Sequence, residues 1–317
     1  MEKQSLGNTD IIIPPIVFGG NVFGWTLGEK ESFHILDLLF DAGFNTIDTS
    51  NSYSHWVGSN SGGESETIIG KWMKERGRFN DMNIITKVGS AMGGEHTNLS
   101  YDYILQEAEG SLKRLQIEQI DLYMSHYDDK DIPVDETLFA YQKLIEAGKI
   151  RHIGASNLSA DRISESLQVS RDENLPRYKV LQPEYNLYDR QNFENEYAAL
   201  SEEEGLAVIS YYSLASGFLS GKYRSEDDLG KSKRGLNVKK YLDERGFAIL
   251  DALDTVAQKY NISQAAVALG WLIVKPAVSA PIASATKKHH LKAFLEAVNT
   301  KFDKEDIQRL DAASDYA

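Results

Sequence analysis

Short apolar segments recur along the chain, and each is followed by a stretch with helical periodicity. The apolar segments are rich in β-branched and aromatic residues, which is typical of buried parallel strands. Successive segments begin roughly thirty to forty residues apart until the last interval, as expected for strand–helix repeats. Eight segments are predicted as strands: residues 14–19, 44–48, 83–87, 120–126, 151–156, 179–185, 206–212 and 278–283.

The segments between the strands carry apolar side chains at helical spacing. Ser263 is a candidate N-cap for one of these helices, and Gly148 is a candidate stop for another. Helices are predicted over 102–115, 135–148, 191–204 and 263–274, and a last one carries Leu291, Leu295 and Val298.

Strands that alternate with helices favour an α/β fold, a (β/α)8 TIM barrel forming a single domain over residues 1–317. An N-terminal hairpin and long loops at the C-terminal face complete this prediction. The competing fold is a doubly wound open sheet, which normally has a Gly-rich phosphate-binding turn after its first strand. That position holds FGGNVFGW, which does not match G-x-G-x-x-G. The long interval 213–277 contains a polar segment predicted as a surface loop over one face.

Composition narrows the possible partners and the compartment. The net charge of −13 argues against nucleic-acid binding. Because the chain has no cysteine, disulfides and thiolate chemistry are excluded. The N-terminal residues lack a signal-peptide pattern, and no apolar run approaches the ~20 residues of a membrane span. We therefore expect a cytoplasmic protein without a membrane partner.

Polar residues stand at the ends of three neighbouring predicted strands. Asp48, Lys87 and His126 end strands two, three and four, and Tyr53 follows strand two. Each alone has a simpler explanation: a turn cap, a solvated lysine, a core histidine or a packed aromatic ring. Together they indicate catalysis, because the carboxyl ends of barrel strands converge on one rim.

These four residues suit proton transfer. A buried Lys87 needs a counter-charge, which Asp48 can supply. A nearby ammonium is expected to lower the pKa of Tyr53. Tyr53 can then donate a proton to an oxygen that becomes an alkoxide, and His126 can orient the same oxygen.

Asp48, Tyr53, Lys87 and His126 resemble the catalytic tetrad of the aldo-keto reductases, in particular the bacterial-type NADPH-dependent enzymes. The resemblance covers nearly the whole chain. It implies reversible NAD(P)H-dependent reduction of an aldehyde or ketone to an alcohol, with Tyr53 as proton donor and no metal. The segments similar to family signatures are AGFNTIDTSNSY, EGSLKRLQIEQIDLYMSH, LIEAGKIRHIGASN and APIASAT.

The same resemblance implies a cofactor site for NADPH, with NADH as a possible substitute. Ser156, Asn157 and Gln182 match the residues that bind the carboxamide, and Tyr211 matches the aromatic ring beneath the nicotinamide. Alternatively, Ser156–Asn157 is a helix cap and Tyr211 a core residue. The remaining matching positions are Gly19, Gly20, Asn21, Asp48, Ser213, Leu214, Ser216, Gly217, Leu219, Lys222, Ala283, Ser284, Thr286, Lys287, Lys288 and His290.

The end of strand eight bears on the choice between NADPH and NADH. Relatives often have an arginine after the sequence ASA, whereas Thr286 stands there in this chain. Lys287, Lys288 and His290 are expected to supply positive charge for a 2′-phosphate, so NADPH is the predicted cofactor. The alternative is a solvated helix start.

The substrate pocket is expected in loops above the nicotinamide, with residues 222–246 as a lid. The predicted partner is a small carbonyl compound, and both a monomer and a homo-oligomer remain open. The predicted pocket residues are Phe23, Trp25, His55, Trp56, Met92 and Tyr127.

Two other classes of function remain. A barrel of this kind can act as a binding or regulatory subunit, like the β subunits of potassium channels. A barrel hydrolase would need two neighbouring carboxylates, and Glu184 is a weak second to Asp48. Metal-dependent hydrolysis is not supported, because no His/Asp cluster has metal-ligand spacing.

Overall fold

The chain begins with a short antiparallel hairpin, strands β1 (Gln4–Ser5) and β2 (Ile12–Ile13), and continues into a closed barrel. These elements belong to a computed structural model that describes residues 1–94 and 96–316. Every barrel strand is parallel to its neighbours, and the last pairs with both the first and the seventh. The predicted TIM barrel is confirmed, and the open sheet is excluded. The barrel strands are β3 (Val17–Gly19), β4 (Thr46–Asp48), β5 (Asn83–Val88), β6 (Ile120–Ser125), β7 (Ile150–Ser156), β8 (Val180–Gln182), β9 (Ala207–Ser210) and β10 (Ala280–Ala283).

The hairpin covers the N-terminal end of the barrel. Leu6, Ile11 and Ile13 pack in one buried cluster with inward-facing strand residues such as Ile85 and Leu122. Gly7 allows this close approach, because a Cβ at its position would lie 2.8 Å from the Cβ of Ala207. Apolar packing therefore closes this end, which leaves the opposite end for polar groups.

Helices surround the barrel, and the predicted ones are confirmed with small shifts at their ends. Ser263 caps its helix by accepting a hydrogen bond from the backbone N–H of Ala266. The predicted helix over 191–204 contains a π-helical turn at Phe193–Tyr197. The helices are α1 (Glu29–Asp41), α2 (Glu64–Arg76), α3 (Tyr101–Leu115), α4 (Val134–Glu146), α5 (Ala160–Glu173), α6 (Ala198–Glu203), α7 (Glu244–Tyr260), α8 (Gln264–Ile273), α9 (Lys288–Asn299) and α10 (Lys304–Ala313).

The segment between β9 and α7, residues 211–243, differs from the predicted surface loop. It contains 3-10 turns at Ala215–Ser220, Glu226–Lys231 and Gly235–Tyr241. The side chains of Tyr223, Val238 and Tyr241 are fully buried. These widely spaced apolar residues anchor an otherwise polar segment, which explains why its sequence resembles a loop. We call residues 222–241 of this segment the strap.

A buried acid on α2 ties the barrel to its outer helices. Glu66 is fully buried, and its carboxylate accepts hydrogen bonds from Thr86 Oγ1 and Arg114 Nε, each at 2.6 Å. Asn51 Nδ2 donates to Glu107 at 2.9 Å, and Glu107 lies 3.7 Å from the Arg114 guanidinium. The network joins β5, α2 and α3 to the loop that follows β4.

We expect Arg114→Ala to lower the free energy of unfolding by about 3 kcal/mol, because Glu66 would keep a buried charge without its partner. Urea denaturation at neutral pH measures this change. The control is Lys71→Ala, which breaks an exposed pair with Glu29 and should cost less than about 1 kcal/mol. Equal effects of the two variants would contradict the role assigned to the buried pair.

Candidate active site

An ion pair lies at the centre of the C-terminal end of the barrel. Lys87 Nζ donates to Asp48 Oδ2 at 2.8 Å and to the backbone oxygen of Thr49 at 2.8 Å. Its third contact is the Tyr53 hydroxyl at 3.2 Å. Both charged side chains are buried, so the expected pairing of Lys87 with Asp48 is present in the structure.

The barrel geometry explains why these side chains meet. Side chains alternate along a strand, so Lys87 faces the interior like Ile85, two residues earlier on β5. Asp48 ends the adjacent strand β4, where it pairs in register with Ile85. Tyr53 comes from the loop above β4, and its ring centroid lies 4.9 Å from Lys87 Nζ.

The surroundings of the ion pair contradict the prediction that the pKa of Tyr53 is lowered. Burial, followed by the negative charge of Asp48, raises the pKa of Tyr53 well above its ordinary value. The predicted lowering is therefore wrong for this structure, because burial and the negative charge of Asp48 both favour the protonated phenol. Burial also lowers the pKa of Lys87, and Asp48 opposes that shift. Tyr53 consequently keeps its proton at neutral pH.

His126 lies beside Tyr53, with their ring centroids 5.9 Å apart. Its Nδ1 is 3.0 Å from Ser50 Oγ, whereas its Nε2 has no hydrogen-bond partner among the described residues. Burial lowers the pKa of His126 well below its ordinary value, and the charge of Lys87 adds to this effect. The four predicted catalytic residues thus form one cluster, with a neutral histidine.

The predicted carboxamide residues join this cluster through hydrogen bonds. Gln182 Nε2 donates to Asp48 Oδ1 at 2.8 Å, and Ser156 Oγ donates to the backbone oxygen of Gln182 at 2.9 Å. Asn157 Nδ2 donates to the backbone oxygen of His126 at 2.8 Å, while Asn157 Oδ1 accepts from the Tyr211 hydroxyl at 2.8 Å. Three strand ends therefore present their polar groups on one side of the ion pair.

The turn after β9 holds an unusual backbone. Ala215 and Ser216 have positive φ values of 46° and 58°, a conformation that is costly for residues other than glycine and often accompanies ligand binding, and Gly217 follows at 94°. Ser216 Oγ is buried without a hydrogen-bond partner among the described residues. An orphaned hydroxyl in a strained turn fits a polar ligand.

The other predicted cofactor residues of this turn, unlike Ser216, have side chains that are bonded to the backbone or packed against the core. Ser213 Oγ donates to the backbone oxygen of Ser210 at 3.1 Å. Leu214 is half-buried against the core, and the Leu219 side chain is fully buried in it. The side chain of Leu219 is therefore not accessible to a ligand.

The ends of β3 and β10 are joined by side-chain hydrogen bonds. Ser284 Oγ lies 2.7 Å from the backbone oxygen of Gly19 and 2.9 Å from Asn21 Oδ1. Gly20 begins the 3-10 turn that contains Asn21, and Ala283 ends β10. These five predicted cofactor residues consequently lie together.

A basic cluster surrounds the start of α9. Thr286 donates its backbone N–H to His290 Nδ1 at 3.2 Å, and Lys287 is the N-cap residue before Lys288. Burial lowers the pKa of His290 to about 4, and the charges of His289, Lys222 and Lys287 contribute. His290 is therefore neutral near pH 7, contrary to its expected contribution of charge. The exposed lysines stand at a helix N-terminus, where the helix dipole favours an anion.

The predicted pocket residues fall into two groups. Phe23 is fully buried and stacks on Phe18 at 5.5 Å, so its predicted place in the pocket is wrong. The others surround the mouth. Trp56 lies 5.6 Å from the Tyr53 ring and 5.7 Å from Trp25. The remaining contacts are His55 with Trp56 at 5.5 Å, Tyr127 with His126 at 4.8 Å, and Met92 against Gly62.

Three residues near the site were not predicted. Arg234, on the strap, donates to Asn21 Oδ1 at 3.1 Å, lies 5.0 Å from the Trp25 ring and has no acidic partner among the described residues. Tyr212 packs against Tyr211, and Ser50 contacts His126. A basic residue in a polar segment carries no signal of its burial, so Arg234 could be found only from the folded strap.

Residues 1–94 and 96–316 contain no group of three or more His, Cys, Asp or Glu side chains that could hold a metal ion. Within the same residues, none of the helices combines the length and the apolar character of a membrane span.

Comparisons with known proteins find relatives along nearly the whole chain. Residues 15–315 match the model of the Aldo/keto reductase family. A probable voltage-gated potassium channel subunit beta from Oryza sativa subsp. japonica is 31% identical over 307 residues, covering 94% of this chain and 92% of the relative. Aldo-keto reductase YhdN from Bacillus subtilis (strain 168) is 30% identical, covering 96% and 91%. L-glyceraldehyde 3-phosphate reductase from Escherichia coli O157:H7 is 28% identical, covering 98% and 92%.

We expect Asp48→Asn to lower the free energy of unfolding by about 3 kcal/mol at neutral pH, because Lys87 would lie buried beside a neutral amide. The lost carboxylate lowers the pKa of Lys87 further. Between the lowered pKa of Lys87 in the folded variant and the ordinary pKa of lysine in the unfolded chain, the unfolded chain binds more protons than the folded one. The free energy of unfolding of the variant therefore rises with pH in this range. The difference from wild type should therefore shrink towards about pH 10 in urea denaturation.

The matched control is Asp37→Asn, which removes the partner of Arg76 on the outer surface. Its effect should not depend on pH in this range, since arginine stays charged. A difference for Asp48→Asn that stays constant up to alkaline pH would refute the assigned coupling.

Proposed function

This chain belongs to the aldo/keto reductase family, and we propose that it reduces an aldehyde or ketone to an alcohol with NADPH, using Tyr53 as the proton donor. The observation that carries this proposal is the contact of Tyr53 with Lys87, 3.2 Å apart, beneath which Asp48 binds the same ammonium. The reaction is reversible, and the substrate is a small carbonyl compound.

The residues at the barrel mouth fit a nicotinamide cofactor. The polar groups of Ser156, Asn157 and Gln182 suit a carboxamide, and Tyr211 presents an aromatic ring beside them. The unpartnered hydroxyl of Ser216 suits a phosphate oxygen. A reduced nicotinamide supplies hydride when bound there.

Tyr53 is proposed to hold and release the proton. Its raised pKa keeps the hydroxyl protonated through neutral pH, which is the state that reduction needs. The ammonium of Lys87 stabilises the phenolate left after transfer, and Asp48 favours the charged form of Lys87. The neutral His126 donates a hydrogen bond to the carbonyl oxygen as negative charge develops on it. In the oxidative direction the phenolate is required, so that rate should rise with pH.

Positive charge at two places supports the preference for NADPH. Lys287 and Lys288 stand exposed at the start of α9, and Lys222 contributes to the field there. A 2′-phosphate at this helix end would meet both the lysines and the helix dipole. Arg234, without an acidic partner among the described residues, adds positive charge at the mouth that suits an anionic cofactor.

Binding or regulation of a membrane channel is the second candidate function. The observation that favours it is the likeness to a relative named as a probable voltage-gated potassium channel subunit beta. Because the four tetrad residues meet in this chain, we place catalysis first. Oxidation of NADPH with a panel of aldehydes distinguishes the two, since a purely regulatory barrel would show no turnover.

We expect Tyr53→Phe to bind NADPH with wild-type affinity and to lose about 10²–10⁴-fold in kcat, the usual contribution of a general acid. Turnover is measured by the loss of NADPH absorbance, and binding by cofactor fluorescence. Tyr260→Phe is the control, because it removes a hydroxyl bonded to Asp306 on the outer helices. Near-native turnover by Tyr53→Phe would rule out its role as proton donor.

We expect the double variant Lys287→Ala/Lys288→Ala to raise the KM for NADPH about tenfold, equivalent to about 1.4 kcal/mol, and to leave the KM for NADH unchanged. The reason is that only NADPH carries the 2′-phosphate. Lys301→Ala, an exposed lysine beyond the end of α9, is the control. Equal efficiency of the wild-type enzyme with NADH and NADPH would refute the proposed preference.

A further inference from the structure

His126 has one contact that the proposed mechanism does not explain. Its Nδ1 lies 3.0 Å from the hydroxyl oxygen of Ser50, two residues after Asp48. Ser50 is fully buried and His126 is 8% exposed, so water does not replace this contact. The state of Nδ1 therefore depends on which atom of the pair carries the hydrogen.

The surroundings of Ser50 limit the possibilities. The backbone N–H of Ser52 donates to Ser50 Oγ at 3.2 Å. The Ser52 hydroxyl lies 3.0 Å from Ser50 Oγ and has no other side-chain hydrogen-bond partner among the described residues. Asn51 Oδ1, an acceptor, is more distant at 3.4 Å. A hydroxyl oxygen donates once and accepts at most twice.

One arrangement gives an acceptor to every proton that lies between Ser50, Ser52 and His126 Nδ1. Ser52 donates its N–H and its hydroxyl to Ser50 Oγ, and Ser50 donates its own hydroxyl to His126 Nδ1. Both lone pairs of Ser50 are then used. His126 Nδ1 is the acceptor, so the imidazole proton must lie on Nε2.

The opposite tautomer, with the proton on His126 Nδ1, leaves one buried hydroxyl without an acceptor. If His126 Nδ1–H donated to Ser50, the N–H of Ser52 would fill the second lone pair. The Ser52 hydroxyl, 1% exposed, would then have no acceptor for its proton. Directing the Ser50 hydroxyl to Asn51 instead would leave three donors on one oxygen. An unsatisfied buried donor costs roughly 1–3 kcal/mol, which favours the first arrangement.

We propose that Ser50 is a positioning residue that holds His126 in the Nε2–H tautomer, with Ser52 orienting the Ser50 hydroxyl. The Nε2–H then points away from Ser50 and can donate to a substrate carbonyl oxygen. This role in turnover rests on the proposed carbonyl reduction, whereas the tautomer itself does not. In this tautomer the neutral imidazole already carries a hydrogen on Nε2, so His126 can donate a hydrogen bond without taking up a second proton.

The first test is the nitrogen NMR spectrum of histidine-labelled wild-type protein, with His126 assigned by its loss in His126→Asn. We expect a pyridine-type signal at Nδ1 and a pyrrole-type signal at Nε2. The reverse pattern in the wild-type protein overturns the proposal and requires no serine variant to fold. This measurement needs neither substrate nor cofactor, so it decides the tautomer even if no carbonyl compound is reduced.

Serine variants provide the second test. Ser50→Ala should abolish the single-tautomer spectrum of His126 and lower kcat about 10–100-fold with little change in KM, as loss of an orienting partner does elsewhere. Ser50→Thr keeps the hydroxyl and should restore both. Ser52→Ala should weaken the preference for the Nε2–H tautomer, because without the Ser52 hydroxyl Ser50 can accept from His126 Nδ1–H and donate to Asn51 Oδ1.

The controls separate positioning from simple destabilisation. Ser166→Ala removes another buried serine hydroxyl, which donates within α5, and should leave the His126 spectrum and kcat unchanged. An unchanged tautomer and kcat in Ser50→Ala would overturn the proposal, and an unchanged tautomer preference in Ser52→Ala would overturn the orienting role of Ser52. If the wild-type protein reduces no carbonyl compound, the proposed function fails while the spectrum still decides the role of Ser50.

Discussion

The buried ion pair between Lys87 and Asp48 constrains the positions of the strand ends at the C-terminal end of the barrel. An ammonium in the interior would be strongly destabilising without a nearby anion and further hydrogen bonds. Lys87 has three oxygen partners, two of them on β4 and the residue after it. Asp48 in turn binds Gln182 from the far side of the barrel. The pair therefore fixes the distance between strand ends that bear the other polar groups, while apolar packing closes the opposite end.

This constraint produces different protonation states in neighbouring groups. Burial acts on all of them, but it favours the neutral form of each acid or base, whatever its sign. Tyr53 and His126 become neutral proton carriers, and Lys87 stays beside a carboxylate that opposes its discharge. A site with a protonated phenol, a neutral imidazole and an ammonium suits proton donation to an oxygen. Separating pKa values by environment is how acid–base roles are commonly assigned in proteins.

The strands and the tetrad could be predicted because they depend on local pattern and on barrel geometry. Short β-branched runs identify the strands, and parallel strands bring their ends together, so Asp48, Lys87 and His126 had to meet. The orientation of individual side chains around the site depends on packing between distant segments, which the sequence of one segment does not reveal. Phe23 faces the core because the turn after β3 directs it towards Phe18. Arg234 reaches the mouth only because distant aromatic residues anchor the strap. The pKa of Tyr53 depends on its burial and on the charge of Asp48, and spacing along the chain does not set how deeply the ring is buried.

The loop after β4 shows how one short segment can serve both halves of the site. Asp48 faces the lysine, Ser50 faces the histidine, and Tyr53 contacts both the ammonium of Lys87 and the ring of His126. Asn51 meanwhile donates to Glu107 and so joins the loop to the network around Glu66 outside the barrel. Because these contacts alternate between the interior and the outer helices, the loop cannot shift without breaking hydrogen bonds on both sides. The contacts on both sides of residues 48–53 hold this loop between the barrel interior and the outer helices, with the rings of Tyr53 and His126 5.9 Å apart.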